Sequence, residues 1–361
     1  MRFLVVGAVL LLIGLGLTEY TRRTEAPPAD ESSAEETPGK KTPKLPEKVA
    51  KLLELGTLDR NAPLAPTDAT TTRLAGLKSD APPIGGLTPL LSGDFTVRQL
   101  RAGFGYAVAA IDVGSGSALI RLEPGAPAKP LVTRGKRITA LTLDASTLFF
   151  AEGGAVFTVS SRGDGLSPRA HFPNGVVTAI AASGDNLVLA VVPAGDEGAD
   201  QASAVVRLDA AGELTLLASN QTRPRALVTD GKEAFWLGDG LWRAALDGSF
   251  SSRLAEDVDG PLTLDGDALV AGAASEVRRM SRAGGKAQVL APMKAAALVT
   301  SSGLVRFATD ESPARLFEVT AGAEPSLTAT LAGPVSAMAL GGTTLFVVSK
   351  DAAGATVLLA K

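Results

Sequence analysis

Carboxylates recur along residues 112–351 at a nearly constant interval: Asp112, Glu152, the group Asp196, Glu197 and Asp200, then Asp239, Glu276, the pair Asp310 and Glu311, and Asp351. Bases stand in another recurrent set of short polar stretches: Arg134, Lys136 and Arg137, Arg223 and Arg225, and Lys294. Such side chains can transfer protons, ligate hard cations or form a charged recognition surface. The first two uses find little support. The chain has no Cys and a single His, His171, which argues against thiolate nucleophiles, His-based metal clusters and Ser–His pairs. Neither PAGDEGADQAS (193–203) nor DVDGPLTLDGD (257–267) meets the spacing of an EF-hand loop. There is no G-x-S-x-G, no P-loop and no G-x-G-x-x-G before a helix, so no motif calls for a cofactor. What remains is a surface of charged loops. An enzyme would have to draw dispersed Asp, Arg and Lys into one pocket.

The elements that position these residues form a repeat. LWRAALDG (241–248) has counterparts in ALIRLEPG, AVFTVSSRGDG, AVVRLDAAG, VRRMSRAGG, RLFEVTAG and ATVLLAK. Their middle positions are Arg121, Thr158, Arg207, Arg243, Arg279, Glu318 and Leu359, at a period of about 38 residues. One interval is long, and it contains the insertion 193–203. Each unit opens with an apolar run, a turn rich in Gly, Asp or Ser, and a second run, the pattern of a hairpin. A unit is therefore four short antiparallel strands, a to d. Four such strands in about 38 residues describe a β-propeller blade. The units run 95–137, 138–175, 176–222, 223–259, 260–293, 294–333 and 334–361. The expectation is an all-β fold with seven blades, six or eight being the alternatives. The last unit ends after its third strand, and LTPLL (87–91) is placed to supply the fourth. Pro89 suits that outermost position, which has one unpaired edge.

On this pattern the chain resembles the exported bacterial propellers of the NHL, TolB-like and outer-membrane-assembly type over residues 87–361. The WD dipeptide and GH signature of WD40 blades and the strict glycines of kelch blades are absent, and no site residue of those families carries over.

Blade geometry puts the b–c and d–a connections on one face. That face collects Asp112, Glu152, Asp196, Glu197, Asp200, Asp239, Glu276, Asp310, Glu311 and Asp351, with Arg134, Arg137, Arg223 and Arg225. It is expected to have an acidic outer rim and a patchy basic inner zone, and to bind protein. The RGD at 162–164 falls instead in a c–d turn, where Asp-Gly is ordinary turn chemistry. An arginine that recurs around the ring, as at 243, is a mark of blade register rather than a site. Its stem is expected to lie against a neighbouring blade.

Before the propeller the sequence has two further zones. Arg2 precedes an apolar run from Phe3 to Leu17, which fits a signal anchor or signal peptide over 1–23. Residues 24–86 read as a flexible, Pro- and charge-rich linker. A short helix is expected near 46–56, with Val49, Leu52 and Leu53 on one stripe. The chain is thus expected outside the cytoplasm, periplasmic or at the cell surface. It is held in the inner membrane by residues 3–17, or secreted if the signal is cleaved. A net charge of −3 gives no overall attraction to nucleic acid. The expected role is a scaffold for a protein partner in the cell envelope. The alternatives are an enzyme acting on a glycan or small metabolite at the pore mouth, and a carbohydrate-binding propeller. The latter is disfavoured by only two Trp and two Tyr.

Overall fold

The computed structural model describes residues 45–57, 68–77, 83–195 and 203–361. Seven four-stranded antiparallel sheets follow one another around a ring. Blade one consists of strands Thr96–Gly103, Tyr106–Val113, Gly116–Leu122 and Lys129–Arg134, in the order a to d. Blades two to six repeat this arrangement through residue 331. Blade seven takes strands a to c from Val335–Gly341, Thr344–Lys350 and Thr356–Ala360. Its outer strand is Thr88–Gly93, which pairs antiparallel with Thr356–Ala360, Thr88 opposite Ala360. A register shift between Pro89 and Leu91 accommodates the proline, which has no N–H for the ladder.

The core lies between blades. Seven apolar clusters are present among the described residues, each built from two adjacent blades. A middle strand is covered on both sides, so its sequence is a continuous apolar run such as AFWL or ALVAGA rather than an alternating one. Small residues let paired strands approach closely where the register shifts; Gly260 and Gly272 meet across strands a and b of blade five, where a Cβ on Gly260 would lie 2.9 Å from the Gly272 backbone. The fully buried Trp236 donates from Nε1 to Gln221 Oε1 at 3.0 Å, which satisfies its one polar atom.

The repeated c-strand arginine bridges blades. Arg121 Nη1 donates to Ser161 O at 2.8 Å, and Arg243 Nη1 donates to Arg282 O at 3.1 Å; both acceptors lie in the c–d turn of the following blade. The Arg243 guanidinium also lies 5.1 Å from the centre of the Phe250 ring. Arg207 and Arg279 occupy the slot differently, bonding Thr215 and Asp265 of their own blades. The RGD segment lies in the c–d turn of blade two, with Asp164 N donating to Ser160 Oγ.

Two short helices precede the ring. Helix α1 (Glu47–Leu52) buries Val49 and Leu52 in the cluster between blades two and three. Gly56 N donates to His171 O at 2.9 Å and Asn174 Nδ2 to Lys51 O at 3.1 Å, which fixes the helix at a d–a connection. Helix α2 (Asp68–Ala75) brings Leu74 to the cluster between blades seven and one. Residues 1–44, which hold the expected anchor, lie outside the described residues.

On the a–b face, Asp230 ties blade four to blade five. Burial disfavours its charge, but N–H groups of Glu233 and Lys232 at 2.7 and 2.8 Å and the Arg282 guanidinium outweigh that, holding the carboxyl below its ordinary range. A depressed folded-state pKa contributes stability above the unfolded pKa and loses it as pH falls through the folded value. Asp230→Asn is therefore expected to cost on the order of 1 kcal/mol at neutral pH. The gap to wild type should close on acidification below the ordinary aspartate range. Urea unfolding at several pH values checks this; a pH-independent gap would contradict it.

Candidate functional site

The described acids and bases singled out in the sequence all stand on the b–c face; Asp196, Glu197 and Asp200 lie outside the described residues. The fold places them in a network of pairs rather than in separate acidic and basic zones. Arg134 at the end of blade one's outer strand meets Glu152 of blade two, Nε to Oε2 at 2.8 Å, with side-chain exposures of 12% and 6%. Asp112 receives Arg98 Nε at 2.7 Å and Arg137 Nε at 3.2 Å. Glu276 pairs with Arg278, which also reaches Asp257 at 2.6 Å and holds that carboxyl below its ordinary range. Lys294 meets Asp310 at 2.6 Å, which raises the lysine pKa, and Glu311 meets Arg315 at 2.9 Å. Asp239 accepts from Trp242 Nε1 at 2.8 Å. Asp351 closes its own turn by accepting from the N–H groups of Ala353 and Ala355.

Arg225 Nη2 donates to Asp259 O at 3.2 Å. Arg223 has a left-handed backbone, with φ of 35°, as do Asn220 and Ala226 nearby. Three such residues without glycine make this connection a strained loop.

Blade one concentrates the basic charge. Between α2 and blade one lies a groove of about 780 Å³, lined by Arg73, Arg98 and Arg137 with Asp94 and Asp112. Arg73 extends across Gly114; a Cβ there would lie 1.8 Å from its Nη1, and Gly114 has φ of 60°. Arg98 also lines the central channel, so groove and channel share a wall. Among the described residues no Asp, Glu or His lines the channel.

The sequence reading missed Arg73, Arg98 and Arg101. A signal for the last two was present. They are charged residues in the middle of an a-strand, VRQLRAG, where the other blades have runs such as ALTL, AIAA and ALVT.

These features define a seven-bladed, ring-closed β-propeller with a polar b–c face. No family model matches the chain, and no curated protein matches it in sequence. Solved structures are similar to it in fold. A chain of the mitotic checkpoint complex aligns over 78% of this chain and 96% of its own, with 13% identity and a TM-score of 0.56. The Cps50 (Swd1) β-propeller domain of Myceliophteria thermophila aligns over 74% of this chain and 98% of its own, with 13% identity and a TM-score of 0.55. The extracellular domain of a putative hybrid two-component system of B. thetaiotaomicron aligns over 75% of this chain, with 12% identity and a TM-score of 0.53. The chain spans 39% of that protein's length.

Proposed function

We propose that the chain is a membrane-tethered, extracytoplasmic propeller that binds a protein partner of the cell envelope through its b–c face. The carrying observation is the blade-one groove, where three guanidiniums, those of Arg73, Arg98 and Arg137, gather around Asp112. Only two of the three are within ion-pair distance of that carboxylate. A partner's Asp or Glu side chain fits this excess of donors, because guanidinium forks hold carboxylates bidentately. The apolar run Phe3–Leu17 after Arg2 supports the tether. One fold neighbour is itself an extracellular domain, which accords with this location, as does the resemblance to exported NHL and TolB-like propellers. The remaining b–c acids and the bases Arg223 and Arg225 would form the rim of the same surface.

A photo-crosslinking residue in place of Arg137, in the full chain and in intact envelopes, is expected to trap a discrete protein. The same residue in place of Lys232, on the opposite face, should not. Arg73→Glu with Arg137→Glu is expected to reduce binding of the recovered partner at least tenfold while leaving circular dichroism unchanged. Equal trapping from both faces, or affinity untouched by the reversal, would sink the proposal.

A further inference from the structure

The seven a-strands surround a channel of about 550 Å³. Six blades contribute residues such as Ala181, Leu262, Val299 and Met338, with the hydroxyls of Thr142 and Thr263. Blade one alone contributes cations, Arg98 and Arg101, together with Gln99. The charge of Arg98 is met by Asp112 at 2.7 Å. That of Arg101 is not. Its Nη1 donates to Leu100 O at 2.9 Å and its Nη2 to Gln99 Oε1 at 3.1 Å, both neutral acceptors, and no carboxylate shares the channel wall among the described residues. A guanidinium carries five N–H donors, so most of its fork is uncommitted. Burial pushes its pKa down, the response of a cation removed from water without a counter-ion.

The position is singular in the ring. Arg101 stands opposite Val108 in the a–b hairpin. At the matching distance from their own a–b turns, the other blades have Thr142, Ala181, Val228, Thr263, Val299 and Ala339. One cation thus faces a wall of methyl and hydroxyl groups. Leaving a partly buried charge unpaired is costly, and an anion entering the channel would remove that cost.

We propose that the channel is a binding site for a small organic anion. Its oxyanion head would sit on Arg101 and the Gln99 amide, and its apolar body against the Ala and Leu side chains of the facing blades. This site adjoins the b–c groove through Arg98, but the groups that would hold the anion, Arg101 and Gln99, line the channel and not the groove.

Titration calorimetry of the full chain at fixed ionic strength, with hexanoate, inorganic phosphate and hexanamide as probes, tests this. Hexanoate is expected to bind at least tenfold more tightly than phosphate, and hexanamide not to bind. Arg101→Gln should weaken hexanoate at least tenfold, while Arg73→Glu with Arg137→Glu should leave it unchanged. Failure of the groove reading would thereby be told apart from failure of this one. Arg101→Lys keeps the charge but not the fork, and serves if the glutamine variant does not fold; it too should weaken hexanoate. No hexanoate binding to wild type, equal binding of hexanamide, or unchanged affinity in either Arg101 variant would overturn the proposal.

Discussion

Leu90→Ala with Leu91→Ala is expected to destabilise the protein by more than 5 kcal/mol, since a single buried Leu→Ala change costs about 2–5 kcal/mol. Both leucines lie in the closing strand of blade seven and are 5% and 3% exposed. Both belong to the cluster that joins blade seven to blade one, with Phe95, Leu100 and Phe346. Elsewhere in the ring a d-strand follows its own blade in sequence. Here it arrives from the other end of the chain, so weakening its packing opens the ring as well as the core. A domain's total stability is about 5–15 kcal/mol, so the double variant should be near or beyond its unfolding threshold at room temperature. Urea unfolding with Thr88→Ala as the control checks this; Thr88 is exposed, and its loss should fall within about 0.5 kcal/mol. A double-variant loss under 2 kcal/mol would show that this strand does not close the ring.

Glu152→Ala is the second large effect, expected to cost about 3–5 kcal/mol, because it leaves Arg134 partly buried without its carboxylate. The Arg134 guanidinium lies 4.8 Å from the centre of the Phe157 ring and cannot find an equivalent partner without leaving that contact. Removing both charges has a different outcome. Arg134→Met with Glu152→Leu is expected to be within about 1 kcal/mol of wild type, since apolar groups of similar volume can replace a buried pair. A double-mutant cycle in denaturant separates the two cases. A single-variant loss below 1 kcal/mol would mean that water reaches the pair freely.

The contrast with the exposed pair Lys294–Asp310 is instructive. Its partners are about half exposed, and its loss should be barely measurable.

The blade count was readable because the period rests on local chemistry. Gly-containing turns and continuous apolar b-strands recur within each unit, and the shortfall after ATVLLAK points to LTPLL as the missing strand. The b–c location of Asp112, Glu152, Asp239 and Glu276 followed from the same geometry. Their pairing did not. Arg134 and Glu152 belong to different blades, and only the angle between sheets brings them together. Arg98 and Arg101 were passed over for a related reason. A strand read by alternation sends a mid-strand arginine to solvent, whereas ring closure turns that edge inward to a channel. Arg73 comes from a helix outside the repeat, and no periodic argument reaches it.

Helix α1 has a practical consequence for handling the protein. Val49 and Leu52 fasten the chain to the b–c side at the junction of blades two and three. Strand Thr356–Ala360 runs the other way, so Lys361 emerges on the opposite side, where its backbone N–H and C=O bond Leu345. A label at Leu45 and a label at Lys361 therefore bracket the ring. Accessibility of each to a bulky reagent reports separately on one side of the disc, and a ligand occluding only one label reveals from which side it has come.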